Sequence, residues 1–383
     1  MLKQLKIENF RCFKSFELNQ LGRVNLLVGK NNSGKTSILE SIQLLCSRVD
    51  EDLLRQITTN RGEYSRGEKF NCSHLFYEHE IKKNVFIYIL GADEKAKTKI
   101  KLFIVESKWI EAVKEMVESL TQTNSDLHEL RDEIKKELVK TKELYEQSWS
   151  DDDISMLANS AFFITPENSY NKFLDVFKES NFKLGIQRNN SEGLKNKYVT
   201  SSSLTIHESL ELFNQIVLTP EEDLLYEALQ IIEPGIKRIA PTGITVGRNS
   251  LRGGFYVKLF DTDKRIPIGS MGDGVWRMLG LSLALVAAKD GVLLVDEIDT
   301  GLHYTALEDM WKLIWETANK LNIQVFATTH SRDCYEALEV LANRDDVGEE
   351  DISIQRIEKD ATKSVPYNKE EIAVAAEREI EVR

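Results

Sequence analysis

The stretch Gly29-Lys30-Asn31-Asn32-Ser33-Gly34-Lys35-Thr36 decides the reading of this chain. It fits G-x-x-x-x-G-K-[ST], a loop that wraps nucleotide phosphates. The flanks agree: an apolar run from Val24 to Val28 leads in, and an amphipathic run from Ser37 to Leu45 follows. Strand, loop and helix in that order are what the motif requires. Gly29 and Gly34 let backbone N–H groups turn toward phosphate oxygens, reinforced by the positive end of the following helix. Asn31, Asn32, Ser33 and Ser37 complete the expected phosphate cradle. Lys35 is expected to reach the β- and γ-phosphates, and the Thr36 hydroxyl to hold Mg2+. The loop therefore predicts binding of a nucleoside triphosphate.

At 383 residues the chain is long enough for one large core or two modest ones. Its 42% hydrophobic and 29% charged content is that of an ordinary globular protein. A net charge of -12 argues against a surface that coats nucleic acid without regard to sequence, yet leaves room for a local basic groove. Cys12, Cys46, Cys72 and Cys334 are scattered and form no C-x-x-C pair, so free thiols in a reducing cytoplasm are expected. The first residues lack an apolar signal core, and the longest apolar run, Leu279 to Ala288, is too short to cross a bilayer. A cytoplasmic chain that is not membrane-inserted is the expectation.

Leu2 to Phe10 alternates as a strand does, a second strand is expected around Phe13, Phe16 and Leu18, and Val24 to Val28 reads as a buried third. The polar stretch Arg55 to Lys69, punctuated by Gly62 and Gly67, reads as mobile. Val85 to Leu90 and Ile100 to Val105 return to strand character. Further on, Ile110, Val113, Val117 and Leu120 form one helical stripe, and Leu127, Leu130, Ile134 and Leu138 another. Either a helical hairpin with coiled-coil character or two amphipathic helices on the core satisfies that pattern. Asp151 to Asp153 suits a solvated turn or cap, and residues 181–205, rich in Asn and Ser, suit a flexible loop. Leu224 to Ile232 is helical and breaks at Pro234-Gly235. Strand-like Ile236 to Ile239, Ile244 to Val246 and Phe255 to Phe260 follow. These segments divide the chain into an N-terminal lobe (1–105), a helical insertion with loops (106–224) and a C-terminal lobe (225–383).

The second half narrows the chemistry. Val292-Leu293-Leu294-Val295-Asp296-Glu297 is an apolar strand ending in two acids. Asp296 is placed to hold Mg2+ through its water shell, and Glu297 to orient and polarise an attacking water. Upstream, Ser270-Met271-Gly272-Asp273-Gly274 precedes a helix from Val275 to Ala288. That is either an ordinary capped helix start or a second anion site capping a γ-phosphate held by a second protomer. Val325-Phe326-Ala327-Thr328-Thr329-His330 is a strand ending in a histidine placed to touch that phosphate or the water.

These elements, in this order, resemble the ABC-type ATPase heads of the SMC/RecF superfamily. Ser270 to Gly274 looks like its signature motif, Asp299 like its D-loop, His330 like its switch histidine, and Ile7-Glu8-Asn9-Phe10-Arg11 like its first strand. More narrowly, Asp296-Glu297-Ile298-Asp299-Thr300-Gly301-Leu302-His303 resembles the ATPase part of overcoming-lysogenization-defect (OLD) proteins. The resemblance implies an α/β ABC-type P-loop head, with mixed sheets, flanking helices and an inserted helical subdomain. It also implies ATP and Mg2+ as cofactors, and a homodimer in which two heads sandwich two ATP molecules. The Met and Asp within the signature depart from the transporter pattern, as the RecF side does. No glutamine, Gln56 and Gln215 included, is securely a Q-loop residue. Arg11 is either exposed after its strand or turned toward the adenine.

OLD-type proteins commonly carry a Toprim nuclease, which needs a Glu and an Asp-x-Asp for catalytic metal. The chain beyond His330 is expected to be too short for one, and Asp261-Thr262-Asp263 suits a hairpin turn better. Ile352 to Lys359 reads as a strand, and Tyr367 to Glu379 as an acidic amphipathic helix. The reading that results is an ATP hydrolase whose ATP-gated dimerisation controls DNA engagement or a separately encoded nuclease, in phage defence or DNA repair. The alternative is a sensor or scaffold that holds a protein partner without contacting DNA.

Overall fold

The computed structural model describes residues 1–47, 51–63, 72–79, 87–92, 97–105, 161–164, 172–175, 194–242 and 254–377. β1 (Gln4–Phe10) and β2 (Phe13–Leu18) form an antiparallel ribbon with Ile7 opposite Phe16. Their alternation puts Leu5, Ile7, Phe16 and Leu18 on one buried face. β3 (Val24–Val28) is buried at every position, as a strand covered on both faces must be. α1 (Lys35–Ser47) and α2 (Glu51–Asn60) follow. β4 (Ile87–Ala92), β5 (Lys97–Val105), β6 (Ala161–Ile164) and β7 (Lys172–Asp175) then extend the ribbon into an antiparallel sheet of order β2-β1-β4-β5-β6-β7.

The chain continues through β8 (Asn196–Val199), α3 (Ile206–Ile216) and α4 (Glu222–Ile232). β9 (Ile236–Pro241), β10 (Phe255–Leu259) and β11 (Ile266–Pro267) make a small antiparallel sheet. α5 (Asp273–Ala287) leads to β12 (Val292–Val295), and α6 (Leu307–Lys320) to β13 (Gln324–Thr328). α7 (Arg332–Ala342), β14 (Ile352–Arg356), β15 (Val365–Tyr367) and α8 (Lys369–Glu377) complete the described elements. The second large sheet has the order β15-β14-β3-β13-β12-β8, parallel from β14 to β8, with β15 antiparallel at its edge.

That parallel sheet is the wall between two cores. Leu26, Leu293, Val295, Val325 and Ala327 face a core built on α4 to α7, whereas Leu27, Leu294 and Phe326 face α1 and the antiparallel sheet. α5 runs through the first core with Val275 to Val286 buried on all sides, so it is held by packing around its whole circumference rather than by one stripe. α1 lies between the two sheets, touching β12 and β13 on one side and β1 and β4 on the other. The phosphate-loop helix therefore has no freedom to shift alone.

Three expectations change. Arg55 to Asn60 belongs to α2, not to a mobile stretch, because Leu53, Leu54, Ile57 and Thr58 give that helix a buried face. Asn196 to Val199 is a strand rather than loop, pairing in parallel with β12, Val199 opposite Val295. α3 begins with a capping box, the Thr205 hydroxyl accepting from the Glu208 amide while Glu208 accepts from the Thr205 amide. Both β8 and α3 pack against α5. β6 and β7 are strands of the first sheet within 106–224, the span expected to hold a helical insertion and loops. The paired stripes from Ile110 to Leu138, Asp151 to Asp153, residues 181–193 and Ile244 to Val246 lie outside the described residues.

Candidate nucleotide site

Parallel strands present their carboxyl ends to ligands, and here β3, β12 and β13 end in the three segments singled out from sequence. The phosphate loop follows β3. Gly29 has φ 144 and an added Cβ would lie 2.3 Å from the Ile357 carbonyl oxygen; Gly34 has φ 99 and a Cβ would meet the Phe13 ring at 2.3 Å. Both positions require glycine, for conformation and for space. Asn31 and Asn32 are exposed on the loop, and Ser33 is buried with its hydroxyl unpartnered.

Lys35 is only 5% exposed. Its Nζ donates to the Gly29 and Lys30 carbonyls at 2.7 and 2.9 Å and lies 3.4 Å from His330 Nδ1. Burial lowers the ammonium to about 8, against the pull of Asp296 and Glu297. Thr36 Oγ1 stands 3.2 and 3.3 Å from the two Asp296 carboxylate oxygens. Ser37, the next residue, is buried, and its hydroxyl accepts from Arg61 Nη2 at 3.1 Å.

Asp296 and Glu297 follow β12 without a break. Asp296 Oδ1 accepts from Thr328 Oγ1 at 2.6 Å, and the Glu297 amide donates to that same hydroxyl at 2.8 Å. Glu297 adopts φ 47, a left-handed conformation that a glutamate takes only when its surroundings impose it. Thr300 Oγ1 donates to Glu297 Oε2 at 3.3 Å. Asp299 is tied inward, accepting from Thr329 Oγ1 at 2.6 Å. The four residues Lys35, Thr36, Asp296 and His330 thus converge, with Glu297 adjacent.

Two buried arginines escaped the sequence reading. Arg11 is 6% exposed, which overturns its placement as a surface residue. Its Nε donates to Glu40 at 3.2 Å and its Nη1 to the Glu63 carboxylate at 2.6 Å and to the His74 carbonyl at 3.0 Å. Arg61 meets the other Glu40 oxygen at 2.6 Å. Burial pushes the Glu40 carboxyl up while the two guanidiniums pull it down, and the network anchors α1 from behind. Arg277, on α5, is 2% exposed and donates to the carbonyls of Thr200, Asp296 and Glu297 at 2.6, 3.0 and 2.7 Å. Burial lowers it to about 10, opposed by Asp299, Asp296 and Glu297. An arginine inside the apolar run Val275 to Val286 was the available signal.

Ser270 and Gly272 sit at the exposed amino end of α5. Gly272 has φ 87 and nothing within 4 Å of an added Cβ. Behind them the end of α5 rests on the loop after Glu297, Asp273 Cβ lying 3.3 Å from the position of a Gly301 Cβ. Asp261-Thr262-Asp263 is the β10–β11 hairpin turn, as expected, with Asp263 bound to Lys258 at 2.9 Å. Among the described residues no group of three or more His, Cys, Asp or Glu is arranged to hold a metal, and no helix is long and apolar enough to cross a membrane.

A phosphate loop whose lysine and threonine meet an acid-tipped strand of the same parallel sheet defines a P-loop nucleotide-binding ATPase. The chain belongs to the family of AAA ATPase domains, whose model matches residues 1–334. It is similar to an ATP/GTP phosphatase of Helicobacter pylori, 22% identical over 368 residues and 90% of either chain. Shorter matches link it to the DNA replication and repair protein RecF of Clostridioides difficile, 37% identical over 90 residues, 21% of this chain and 24% of that one. The OLD nuclease of Thermus scotoductus is 45% identical over 49 residues, 13% of this chain and 9% of that one. Among solved structures, an SMC head bound to the C-terminal winged-helix domain of ScpA is 12% identical, covering 96% of this chain and 97% of its own, with a TM-score of 0.49. The chain is an ATP hydrolase of the AAA ATPase family, and its shorter matches resemble segments of RecF and of an OLD nuclease.

Proposed function

We propose that this ATPase works as an ATP-gated dimer, each phosphate loop completed by the Ser270–Gly272 end of α5 from a second copy. The observation that carries the reading is the exposed, unobstructed amino end of α5, with Ser270 and Gly272 presented to the outside while Gly301 packs against Asp273 behind them. A helix start with free N–H groups attracts a phosphate.

In the bound state Lys35 exchanges the Gly29 and Lys30 carbonyls for β- and γ-phosphate oxygens. Asn31, Asn32, Ser33 and the loop amides surround the same phosphates. The Thr36 hydroxyl and the Asp296 carboxylate, hard oxygen donors 3.2 Å apart, suit Mg2+. Bound there, the ion would neutralise charge on the transferring phosphoryl group. Glu297 orients and polarises the attacking water, and His330, beside Lys35, contacts the γ-phosphate or that water.

The output is control of DNA engagement or of a nuclease acting as a separate effector, in DNA repair or phage defence. The names of two relatives, a DNA replication and repair protein and a nuclease, support a DNA-linked role. The net charge of -12 favours the second reading, a sensor that closes on a protein partner without touching DNA. Ser270→Arg tests the dimer: monomer affinity for ATP stays within about twofold while ATP-dependent dimerisation and turnover disappear, since the change removes only phosphate-binding energy contributed by the partner. Parallel loss of ATP affinity would contradict the assignment in trans. ATP-dependent DNA binding that weakens steeply with salt selects the first output, and its absence selects the sensor.

A further inference from the structure

Every hydrogen bond that Arg277 makes ends on a main-chain carbonyl: Thr200 at 2.6 Å, Ser201 at 3.4 Å, Asp296 at 3.0 Å, Glu297 at 2.7 Å and Ile298 at 3.5 Å. One rigid planar cation thereby joins the carboxyl ends of β8 and β12 to α5. A lysine, with one point of charge and no fork, cannot reproduce that set.

The position matters because of what the second strand end carries. Glu297 is held at φ 47, a conformation unfavourable for a non-glycine residue, which persists only when several contacts enforce it. Three contacts grip its peptide groups directly, Arg277 Nη2 and the Thr300 amide on its carbonyl and Thr328 Oγ1 on its amide. Arg277 lies on α5, the helix whose amino end carries Ser270 and Gly272.

We propose that Arg277 is a positioning residue, which fixes the Glu297 carboxylate for water activation and transmits displacement of the Ser270–Gly272 end of α5 to that carboxylate. Its guanidinium touches no reacting atom; it acts through the backbone of Asp296, Glu297 and Ile298. The proposal rests on the reading of Glu297 as the water-orienting group. It goes further in making hydrolysis, rather than nucleotide binding, sensitive to the state of α5. A purely structural arginine would instead couple α5 to the sheet for stability alone, and its loss would weaken folding, nucleotide affinity and turnover together.

The test measures steady-state ATP turnover, ATP affinity and melting temperature for Arg277→Lys, with Arg277→Met, which keeps the apolar stem, as the second variant. The expected result is kcat lowered about 10- to 100-fold, as for a small misplacement of a reacting group, with ATP affinity within about twofold of the parent. Added guanidinium at millimolar concentration should restore part of the kcat of Arg277→Met. Wild-type kcat in Arg277→Lys, or loss of kcat only in step with affinity and melting temperature in both variants, overturns the proposal. Glu297→Gln is measured alongside. Full turnover by Glu297→Gln refutes the reading of Glu297, whereas an inactive Glu297→Gln beside a fully active Arg277→Lys refutes the role of Arg277 alone.

Discussion

The Thr328 hydroxyl donates to Asp296 Oδ1 at 2.6 Å, and Thr328 Oγ1 itself accepts from the Glu297 amide at 2.8 Å. One side chain on β13 thus sets both acids at the end of β12. Thr328→Val removes the hydroxyl and keeps the shape. Apparent Mg2+ affinity in the ATPase assay should fall about 10-fold or more, the usual effect of losing a group that orients a metal ligand. Thr328→Ser should stay near wild type. Equal Mg2+ dependence in all three would remove Thr328 from the site.

Lys35 and His330 divide binding from chemistry. Lys35 Nζ rests on the Gly29 and Lys30 carbonyls, ready to exchange them for phosphate oxygens. Lys35→Ala should abolish measurable ATP binding by calorimetry, because that charge has no substitute in the loop. His330→Ala should keep ATP affinity within about threefold and lower kcat about 10- to 100-fold, a typical range for one group acting near the transferred proton or phosphate. The reverse pattern would exchange the two roles.

Gly29 and Gly272 both have positive φ, yet their surroundings differ. A Cβ at Gly29 strikes the Ile357 carbonyl at 2.3 Å, whereas at Gly272 it meets nothing within 4 Å. Gly29→Ala should therefore lower both melting temperature and ATP affinity. Gly272→Ala carries only the local conformational cost of its backbone at φ 87, ψ 173, about 1–3 kcal/mol, so it should leave the monomer's ATP affinity unchanged and impair dimerisation. Matching melting temperatures for the two variants would contradict this account.

Glu339 gives a pH signature remote from the nucleotide. Burial and the neighbouring Glu336 raise its carboxyl from 4.5 to about 7, against Arg332, and its Oε1 is buried without a partner. Between those two values the folded chain keeps a proton that the unfolded chain has released, so stability falls as pH rises through this window. Glu339→Gln stays neutral throughout. Its melting temperature should match wild type near pH 4.5 and exceed it at pH 8 by about 1–3 °C. A difference independent of pH would show that Glu339 does not titrate this way.

Much of this site is visible in sequence because its parts are local. The phosphate loop announces itself through glycine spacing, Asp296-Glu297 follows an all-apolar strand, and His330 comes just after a buried one. What stays hidden depends on partners far along the chain. Asn196 to Val199 looks like loop because only Val199 is fully buried, and its strand identity comes from pairing with β12. Arg11 looks exposed because Glu40, Glu63 and His74, which surround it, are brought there by the fold. The Thr205/Glu208 capping box is a local signal for the start of α3 that the sequence reading passed over.

The most direct test of the composite site is the mass of Glu297→Gln protein by light scattering, with and without ATP and Mg2+. Blocking hydrolysis should trap the closed state. The account predicts a monomer without nucleotide and a dimer of twice the 43.9 kDa chain mass with ATP, reverting when Ser270→Arg is added to the same chain. A particle whose mass is unchanged by ATP, in protein shown to bind it, would contradict ATP-gated association.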